Sequence, residues 1–418
     1  MKMIIVGAGL GGLSAALCFA RRGYDVQVFE QRSDLSPQGN GINVRPGASR
    51  IMHRWGLHDD LRRISDPTPT VVLRALRSGR VATRSVLVDG SEHPDWGTMR
   101  DALILLLYKR ASQAGARITF SAPVADVREA PRKAWVWLKD GSQHEADLVL
   151  AADGIRSRIR ASILSDVQTS TDPILSDATI YGIKLGAASL VDNPDTRRLV
   201  DDVNINTWMG HGCFVVTRWN SKLQTFGGQF GIKAHTDQRG MWDERGDIAY
   251  VRGLFADSCT DITAALDWAQ SCDRWKLAEM PDLPRWTSKG GRILLLGDSA
   301  HAMFPNAAQG FSQTVEDIGV LDYLLSLESD PGTEVPKVAQ NWQHIRRPRV
   351  ERIRDYARWN TQLFLGEPLA GRYDEEKSTV KSLKDTVPDM HAPFHSKRFV
   401  SNTLEDTVPL FLAVELMC

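Results

Sequence analysis

Three glycines and one acid near the amino terminus are the first residues with a recognisable chemistry. Gly7, Gly9 and Gly12 are spaced as Gly-x-Gly-x-x-Gly, and Glu30 follows eighteen residues after Gly12. The first glycine allows a tight turn, the second lets the backbone approach a pyrophosphate, and the third allows helix and strand to pack closely. A carboxylate such as Glu30 accepts hydrogen bonds from a ribose diol and disfavours a 2′-phosphate. The pattern predicts FAD or NAD as ligand, with an ordinary glycine-rich turn as the alternative.

The flanking segments are those that would position this turn. Residues 3–6 form an apolar, β-branched run typical of a strand buried on both faces. Small and apolar residues recur at helical spacing over residues 13–22, Gly23 ends the helix, and residues 26–29 form a second strand that ends at Glu30. Because helix N-termini favour anions, the order of strand, turn, helix and strand supports the ligand-binding interpretation.

Two later acids stand at the ends of apolar strands, each beside a glycine. Asp153 follows the run 146–152, and Asp298 follows the run 292–296. Ligands of parallel α/β sheets bind beyond the carboxyl ends of the strands. We therefore expect Asp298, and Gly310 before the next helical run, to lie at a ligand.

Two arginines are placed unusually for exposed charges. Arg100 opens the helical run 99–114, where the helix dipole prefers an anion, so a compensating anion is expected nearby. Arg45 ends a short apolar strand over residues 41–44. It is either an ordinary exposed charge or a cation that faces the ring of a cofactor.

The middle of the chain has a different pattern from its start. Residues 171–280 alternate in the manner of β-strands, and residues 71–88 form a hairpin, which together predict an inserted sheet that roofs a pocket. A charge-rich helical pattern covers residues 342–364 and is predicted to break at Pro348. The tail after Gly366 has no assignable pattern.

The composition limits the class of protein. The 418 residues are 42% hydrophobic, enough for a sizeable core, and 51 basic residues balance 51 acidic ones. No net charge favours nucleic acid or a membrane surface, and no apolar run is long enough to span a bilayer. The five cysteines are scattered and contain no Cys-x-x-Cys, which argues against a disulfide framework or zinc site and predicts a cytoplasmic location.

The glycine turn, Asp153-Gly154 and Gly297-Asp298 together resemble the three motifs of flavin-dependent aromatic monooxygenases of the para-hydroxybenzoate hydroxylase fold. The chain resembles more closely the salicylate hydroxylase and 6-hydroxynicotinate 3-monooxygenase branch, over about residues 2–325 and the helix with residues 346–349. The resemblance implies an α/β fold. Its parts are a Rossmann-like FAD-binding domain (1–70, 96–170 and 285–330), an inserted mixed β-sheet substrate domain (71–95 and 171–284) and C-terminal helices (331–418).

The resemblance also implies which residues hold FAD. In the family, Arg100 matches an arginine that contacts the cofactor, and Asp298 matches the aspartate that hydrogen-bonds the ribityl chain. Asp153-Gly154, with Ser157 and Arg160, resembles a motif linked to both FAD and the nicotinamide nucleotide, whereas His301 matches a position that supports the loop. The implied FAD-binding residues are Gly7, Gly9, Leu10, Gly11, Gly12, Glu30, Gln31, Arg32, Gly41, Arg100, Val124, Asp153, Gly154, Gly297, Asp298, Pro305, Gln309, Gly310 and Phe311.

Four residues are candidates for the substrate side of the site: Lys184, Arg218, Asn43 and Arg45. Lys184 stands where relatives often carry arginine, and Arg218-Trp219 stands where many carry Tyr-Pro. A cation there would hold an ionised substrate, each charge-assisted hydrogen bond contributing about 1.5–3 kcal/mol. Both are equally consistent with solvent-facing sheet residues.

By resemblance, the chain is an FAD-dependent monooxygenase that consumes NADH or NADPH, bound transiently because no second nucleotide fingerprint appears. It would hydroxylate an anionic or phenolic aromatic or heteroaromatic small molecule with dioxygen, through a flavin C4a-hydroperoxide, as a monomer or homodimer. The alternatives are another flavoprotein redox enzyme of the fold (a halogenase, a reductase or an enzyme of oxidative rearrangement) and a non-catalytic FAD-binding sensor.

Overall fold

The computed structural model describes residues 1–35, 39–86, 93–233 and 244–365. Within these ranges the strands are β1 (Lys2–Val6), β2 (Asp25–Phe29), β3 (Gly41–Val44), β4 (Asp66–Pro67), β5 (Thr70–Ala75), β6 (Val81–Val86), β7 (Trp96–Met99), β8 (Arg117–Thr119), β9 (Val124–Glu129), β10 (Ala134–Leu138), β11 (Gln143–Ala146), β12 (Leu148–Ala151), β13 (Ile174–Gly186), β14 (Ile205–Met209), β15 (Cys213–Asn220), β16 (Thr225–Lys233), β17 (Glu244–Gly246), β18 (Cys272–Glu279) and β19 (Ile293–Leu295). The helices are α1 (Leu10–Arg21), α2 (Pro46–Arg54), α3 (His58–Ile64), α4 (Arg100–Gln113), α5 (Arg158–Ile163), α6 (Ile248–Leu254), α7 (Thr260–Trp268), α8 (Asp298–His301), α9 (Gly310–Ser326) and α10 (Pro331–Leu365). The predicted carboxyl-terminal region beyond residue 365 lies outside the described residues.

A parallel sheet with the order β19-β12-β1-β2-β8 carries the amino-terminal glycine turn. Met3 to Val6 in β1 are buried, as an internal strand of a covered parallel sheet requires. Helix α1 contributes Leu13, Ala16 and Leu17 to the same core. The register places Val6 beside Ala151 and Ala151 beside Leu295, so these three strands end at one edge of the sheet.

A larger mixed sheet, called here the large sheet, has the order β17-β18-β13-β16-β15-β14-β5-β6. Its strands pair antiparallel except β14 and β5, which are parallel. The predicted hairpin forms β5 and β6 at one edge. Helices α6 and α7 share an apolar core with the sheet, in which Val251 and Leu266 of the helices lie with Phe230 of β16. A small sheet, β3-β7-β4, precedes α4. The predicted α/β class is confirmed, while the exact domain boundaries stay a prediction.

The predicted break at Pro348 is wrong, because α10 continues from Pro331 to Leu365 with Pro336 and Pro348 inside it. A proline within a helix costs about 3 kcal/mol through a lost hydrogen bond and a backbone clash. Packing of α10 on α9 offsets this cost, since Arg346 and Arg349 on either side of Pro348 both bind Glu316. None of the described helices is both long enough and apolar enough to cross a membrane.

Candidate active site

Two glycines of the turn have no room for a side chain, and the third faces open space. Gly7 has φ +101°, and a Cβ atom there would lie 2.5 Å from the carbonyl oxygen of Ala152. A Cβ atom on Gly12 would lie 1.9 Å from the carbonyl oxygen of Gly7. Gly9, which precedes α1, has no atom within 4 Å of a built Cβ. The protein itself therefore requires glycine at Gly7 and Gly12, whereas at Gly9 the free space suits a ligand on the helix N-terminus.

Glu30 ends β2 beside this turn. Its carboxylate accepts hydrogen bonds from the backbone N–H groups of Ala8 (2.7 Å) and Arg32 (2.8 Å). Two carboxylate oxygens offer about four acceptor sites, so capacity remains for a ribose diol. The next two residues, Gln31 and Arg32, are exposed. The backbone N–H of Ala122, just before Val124, donates a hydrogen bond to the carbonyl oxygen of Glu30 at 2.8 Å and so holds that segment beside Glu30.

Asp153 serves to hold the neighbouring turn at Asp298. Its Oδ1 accepts a hydrogen bond from the Ser299 hydroxyl (3.1 Å), which in turn accepts one from the N–H of Gly154 (2.9 Å). Arg160 is 3% exposed and donates to the carbonyl oxygens of Ser299, Ile155 and Thr171. The Asp-Gly motif thus fixes the start of α8 through Ser299.

Asp298 itself is the first residue of α8, after Gly297 with φ +61°. It is exposed, and its carboxylate forms no hydrogen bond or ion pair with the described residues. Because β19 ends beside β12 and β1, Asp298 lies at the same sheet edge as Gly7 and Glu30. A carboxylate in this position is available to the hydroxyl groups of a ligand.

The loop from Pro305 leads into the N-terminus of α9. Ala308 lies in the left-handed region with φ +52°, and Gly310 begins the helix with open space at its Cβ position. Gln309 is 8% exposed and accepts a hydrogen bond from the Gln313 amide at 3.3 Å. Phe311, half-buried, follows on the first turn. The loop therefore presents an N-terminus and an aromatic ring on a fixed support.

That support is a buried ionic cluster, called here the Arg346 cluster: Arg346, Arg349, Glu316, Asp317 and His301. Arg346 donates to Asp317 Oδ1 (2.7 Å) and to Glu316 Oε2 (3.1 Å), and Nε2 of His301 lies 2.6 Å from Asp317 Oδ2. Burial opposes ionisation of Glu316, but the charges of Arg349 and Arg346 outweigh it and lower the pKa of that carboxyl. The His301 position is supporting, as the resemblance implied.

A second buried group, the Arg218 cluster, comprises Arg218, Arg45, Asp95 and Asn43. Asn43 in β3 donates to Asp95 Oδ1 (2.8 Å), and Arg45 Nη1 lies 2.6 Å from Asp95 Oδ2. Arg218 in β15 packs on β7, since a Cβ atom on Gly97 would lie 1.4 Å from its Nη1. The cluster therefore joins the large sheet to the small sheet.

Among the described residues, Arg218 is the member of this cluster with the most unsatisfied polar atoms, two against one each in Arg45 (Nε) and Asp95 (Oδ2). It is 6% exposed, and neither Nη1 nor Nη2 has a hydrogen-bond partner among the described residues. Burial lowers the pKa of its guanidinium to about 10, the charge of Asp95 raises it, and the group is cationic at neutral pH. A buried cation without acceptors is costly, so an anionic ligand oxygen would stabilise it.

Lys184 does not share the environment of Arg218. Its ammonium pairs with Asp101 on the first turn of α4, and its side chain is 39% exposed. Arg100, the residue before Asp101, is exposed and lies over Gly39, where a Cβ atom would meet its Cδ at 2.5 Å. The ion pair between Lys184 and Asp101 links β13 to the start of α4.

The structure brings Asn43 and Arg45 together on Asp95, whose charge also acts on Arg218. The sequence analysis missed Asp95. No motif surrounds Asp95, since it stands alone before the strand of Trp96. The one related signal was Arg45 after an apolar strand, which was interpreted as an exposed charge or a cation facing a cofactor ring and did not locate Asp95.

The residues at the sheet edge fit FAD. Gly9 and Gly310 leave open space at two helix N-termini, which suits pyrophosphate oxygens and a polar ring edge. Glu30 retains acceptor capacity for a ribose, and Asp298 offers a carboxylate to a polyol chain. These residues would hold the cofactor, and the flavin would supply redox chemistry that the side chains here lack.

Comparison with known proteins assigns the family. The model of the family described as FAD binding domain matches residues 1–357, and the chain belongs to this family. FAD-dependent monooxygenase OpS4 of Beauveria bassiana is 28% identical over 391 residues, which cover 91% of this chain and 89% of the relative. The 6-hydroxynicotinate 3-monooxygenase of Bordetella bronchiseptica is 28% identical over 323 residues, covering 77% of this chain and 81% of the relative.

Solved structures agree in fold. CtdE in complex with FAD and a substrate superimposes with a TM-score of 0.80 at 22% identity, covering 87% of this chain and 90% of that one. A salicylate hydroxylase substrate complex gives 0.76 at 20% identity, covering 92% and 93%. The resemblance, the assignment to FAD-dependent monooxygenases and the expectation of FAD are confirmed at the level of class.

Proposed function

We propose that the protein is an NAD(P)H-consuming hydroxylase of an anionic aromatic or heteroaromatic small molecule, with Arg218 as the group that holds the anion. The observation that carries the proposal is the buried guanidinium of Arg218, two of whose nitrogens have no hydrogen-bond partner within the described ranges of the chain. In a site of low dielectric constant, a ligand carboxylate or phenolate oxygen would gain a charge-assisted hydrogen bond there.

Arg45 and Asn43 have an indirect part in this proposal. Asn43 donates to Asp95 Oδ1 and Arg45 forms an ion pair with Oδ2, so Asp95 has a counter-ion other than Arg218. The charges of Asp95, Arg45 and Asp66 all act on Arg218, and a ligand oxygen would be the acceptor that its Nη1 and Nη2 lack among the described residues. Lys184 is already paired with Asp101, and we assign it no substrate contact.

The relatives make the substrate class specific enough to test. One is a 6-hydroxynicotinate 3-monooxygenase and another a 3-amino-4-hydroxybenzoate 2-monooxygenase. Both names describe a ring with a hydroxyl and a carboxyl group, which are ionisable oxygens of the kind that Arg218 would bind. For this chain we propose only a substrate of that kind, an aromatic ring with ionisable oxygens. The monomeric or homodimeric state and the cytoplasmic location stay proposals from the sequence.

The test is a turnover assay on the FAD-loaded protein with hydroxylated aromatic acids, including 6-hydroxynicotinate and salicylate. We expect at least one acid to accelerate NADH or NADPH oxidation and to gain one oxygen atom, and its methyl ester to do neither. Flavin uptake without stimulated oxidation by any compound would favour a sensor. Stimulated oxidation without oxygen insertion would favour another redox enzyme of the fold.

A further inference from the structure

Asn40 occupies a position that none of the motifs explains. It lies just before β3 and is 7% exposed. Its side-chain amide donates to the carbonyl oxygens of Ile183 (2.8 Å) and Gly228 (3.0 Å) in the large sheet. These two residues stand opposite each other on β13 and β16. One side chain thus joins two strands of the large sheet to the segment that starts β3.

The large sheet provides a cavity shaped for this side chain. A Cβ atom on Gly227 would lie 2.1 Å from Asn40 Oδ1, and one on Gly182 would lie 3.1 Å from Asn40 Nδ2. Glycine in a strand interior weakens the strand and often marks a close approach by another part of the chain. The two glycines, on adjacent strands, therefore leave the space into which the Asn40 amide fits.

The other polar groups of Asn40 bind the small sheet and α4. Its Oδ1 accepts a hydrogen bond from the N–H of Gly41 at 3.0 Å, and its carbonyl oxygen accepts one from the N–H of Arg100 at 3.1 Å. Asn40 therefore links three elements: β3, the start of α4 and the large sheet. Both Gly41 and Arg100 are among the residues expected at FAD.

We propose that Asn40 is a positioning residue that holds the large sheet over β3 and thereby keeps solvent from the flavin ring. The inference rests on the proposed function and on FAD binding at Gly41 of β3 and at the loop of Gln309, as the resemblance implies. Asn40 touches neither substrate nor cofactor in this role. Exclusion of water matters because a flavin monooxygenase otherwise releases hydrogen peroxide instead of inserting an oxygen atom into its substrate.

The test uses FAD-loaded protein and needs no substrate or NAD(P)H, so it stands apart from the turnover assay. The variants are Asn40→Ala, Gly227→Ala and the double variant. The measurements are iodide quenching of flavin fluorescence and the free energy of unfolding in urea. We expect each single variant to raise the quenching constant several-fold. The double variant should be no more quenched than Asn40→Ala, because removal of the amide frees the space that the new methyl group needs.

Two matched controls separate positioning from general stability. Asn206→Ala removes another buried amide of the large sheet, one that accepts from Arg74 at 2.8 Å, and Gly186→Ala adds a methyl group where no atom lies within 4 Å. Neither should change the quenching constant. Asn40→Asp keeps the volume but loses both donors, so it remains informative if Asn40→Ala does not fold. Equal quenching in Asn40→Ala and Asn206→Ala, or additive effects of Asn40→Ala and Gly227→Ala, would overturn the proposal.

Discussion

Two buried arginines of this molecule differ in what surrounds them. Arg346 is 1% exposed, and its Nε, Nη1 and Nη2 all donate hydrogen bonds, to Asp317, Glu316 and Gln313. Arg218 is 6% exposed, and its Nη1 and Nη2 have no partners in the described ranges. Buried polar groups of folded proteins are normally paired. Arg346 is therefore satisfied within the protein, whereas Arg218 lacks an acceptor among the residues that the structure describes.

The two clusters also differ in location. The Arg346 cluster joins α9 to α10 and reaches the Gln309 loop through Gln313, so it supports the site from behind. The Arg218 cluster lies where the large sheet meets the small sheet, at the place expected for a substrate. The comparison separates a charge that the described residues satisfy from one that we propose to bind a ligand, and burial alone would not have distinguished the two arginines.

Replacement of Arg346 should have the largest effect. Arg346→Met leaves Glu316 and Asp317 buried without this partner, and removing one member of a buried ion pair costs about 3–5 kcal/mol. We expect a loss of that size in the free energy of unfolding measured by urea denaturation.

The control for this experiment is the next residue of the same helix. Arg347→Met removes a hydrogen bond to the carbonyl of Pro284 and a partly exposed pair with Glu351, so it should cost less than about 1 kcal/mol. Similar losses in the two variants would show that the Arg346 cluster is not a stabilising network.

Arg218→Met should have the opposite result to Arg346→Met, with a small change in stability and a large loss of ligand affinity. Arg218 forms no ion pair with the described residues, so an apolar side chain of similar size removes an unsatisfied buried charge without breaking a pair. The free energy of unfolding should therefore change by less than about 1 kcal/mol. Affinity for the aromatic acid active in turnover should fall by about 1.5–3 kcal/mol, roughly 10- to 150-fold. Titration of the flavin absorbance with that acid measures it. An unchanged dissociation constant would remove Arg218 from the site, and a large loss of stability would assign it a structural role.

The sequence was sufficient for the parts of the site that are local. The turn at Gly7 to Gly12, the strand ends at Glu30 and Asp298, and the helix at Gly310 each follow from residues that are neighbours along the chain. The Arg218 cluster could not be predicted from the sequence, because Arg45, Asp95 and Arg218 come from separate segments of the chain and no local pattern shows which segments pair. Pro348 shows the same limit, since the local rule predicted a break that the contacts of Arg346 and Arg349 with α9 override.

Lys184→Met should have the smallest effect and therefore sharpens the contrast with Arg218. Both are cations of the large sheet, but Lys184 is 39% exposed and already paired with Asp101. Exposed ion pairs contribute about 0–1 kcal/mol, because water solvates both partners and two long side chains must be ordered. We expect a loss of less than about 1 kcal/mol in stability and no change in affinity for the acid that Arg218→Met binds weakly. If Lys184→Met weakened binding of the acid as much as Arg218→Met does, any positive charge near β13 and β15 would be sufficient to bind the acid. The burial of the Arg218 guanidinium would then not explain the choice of ligand.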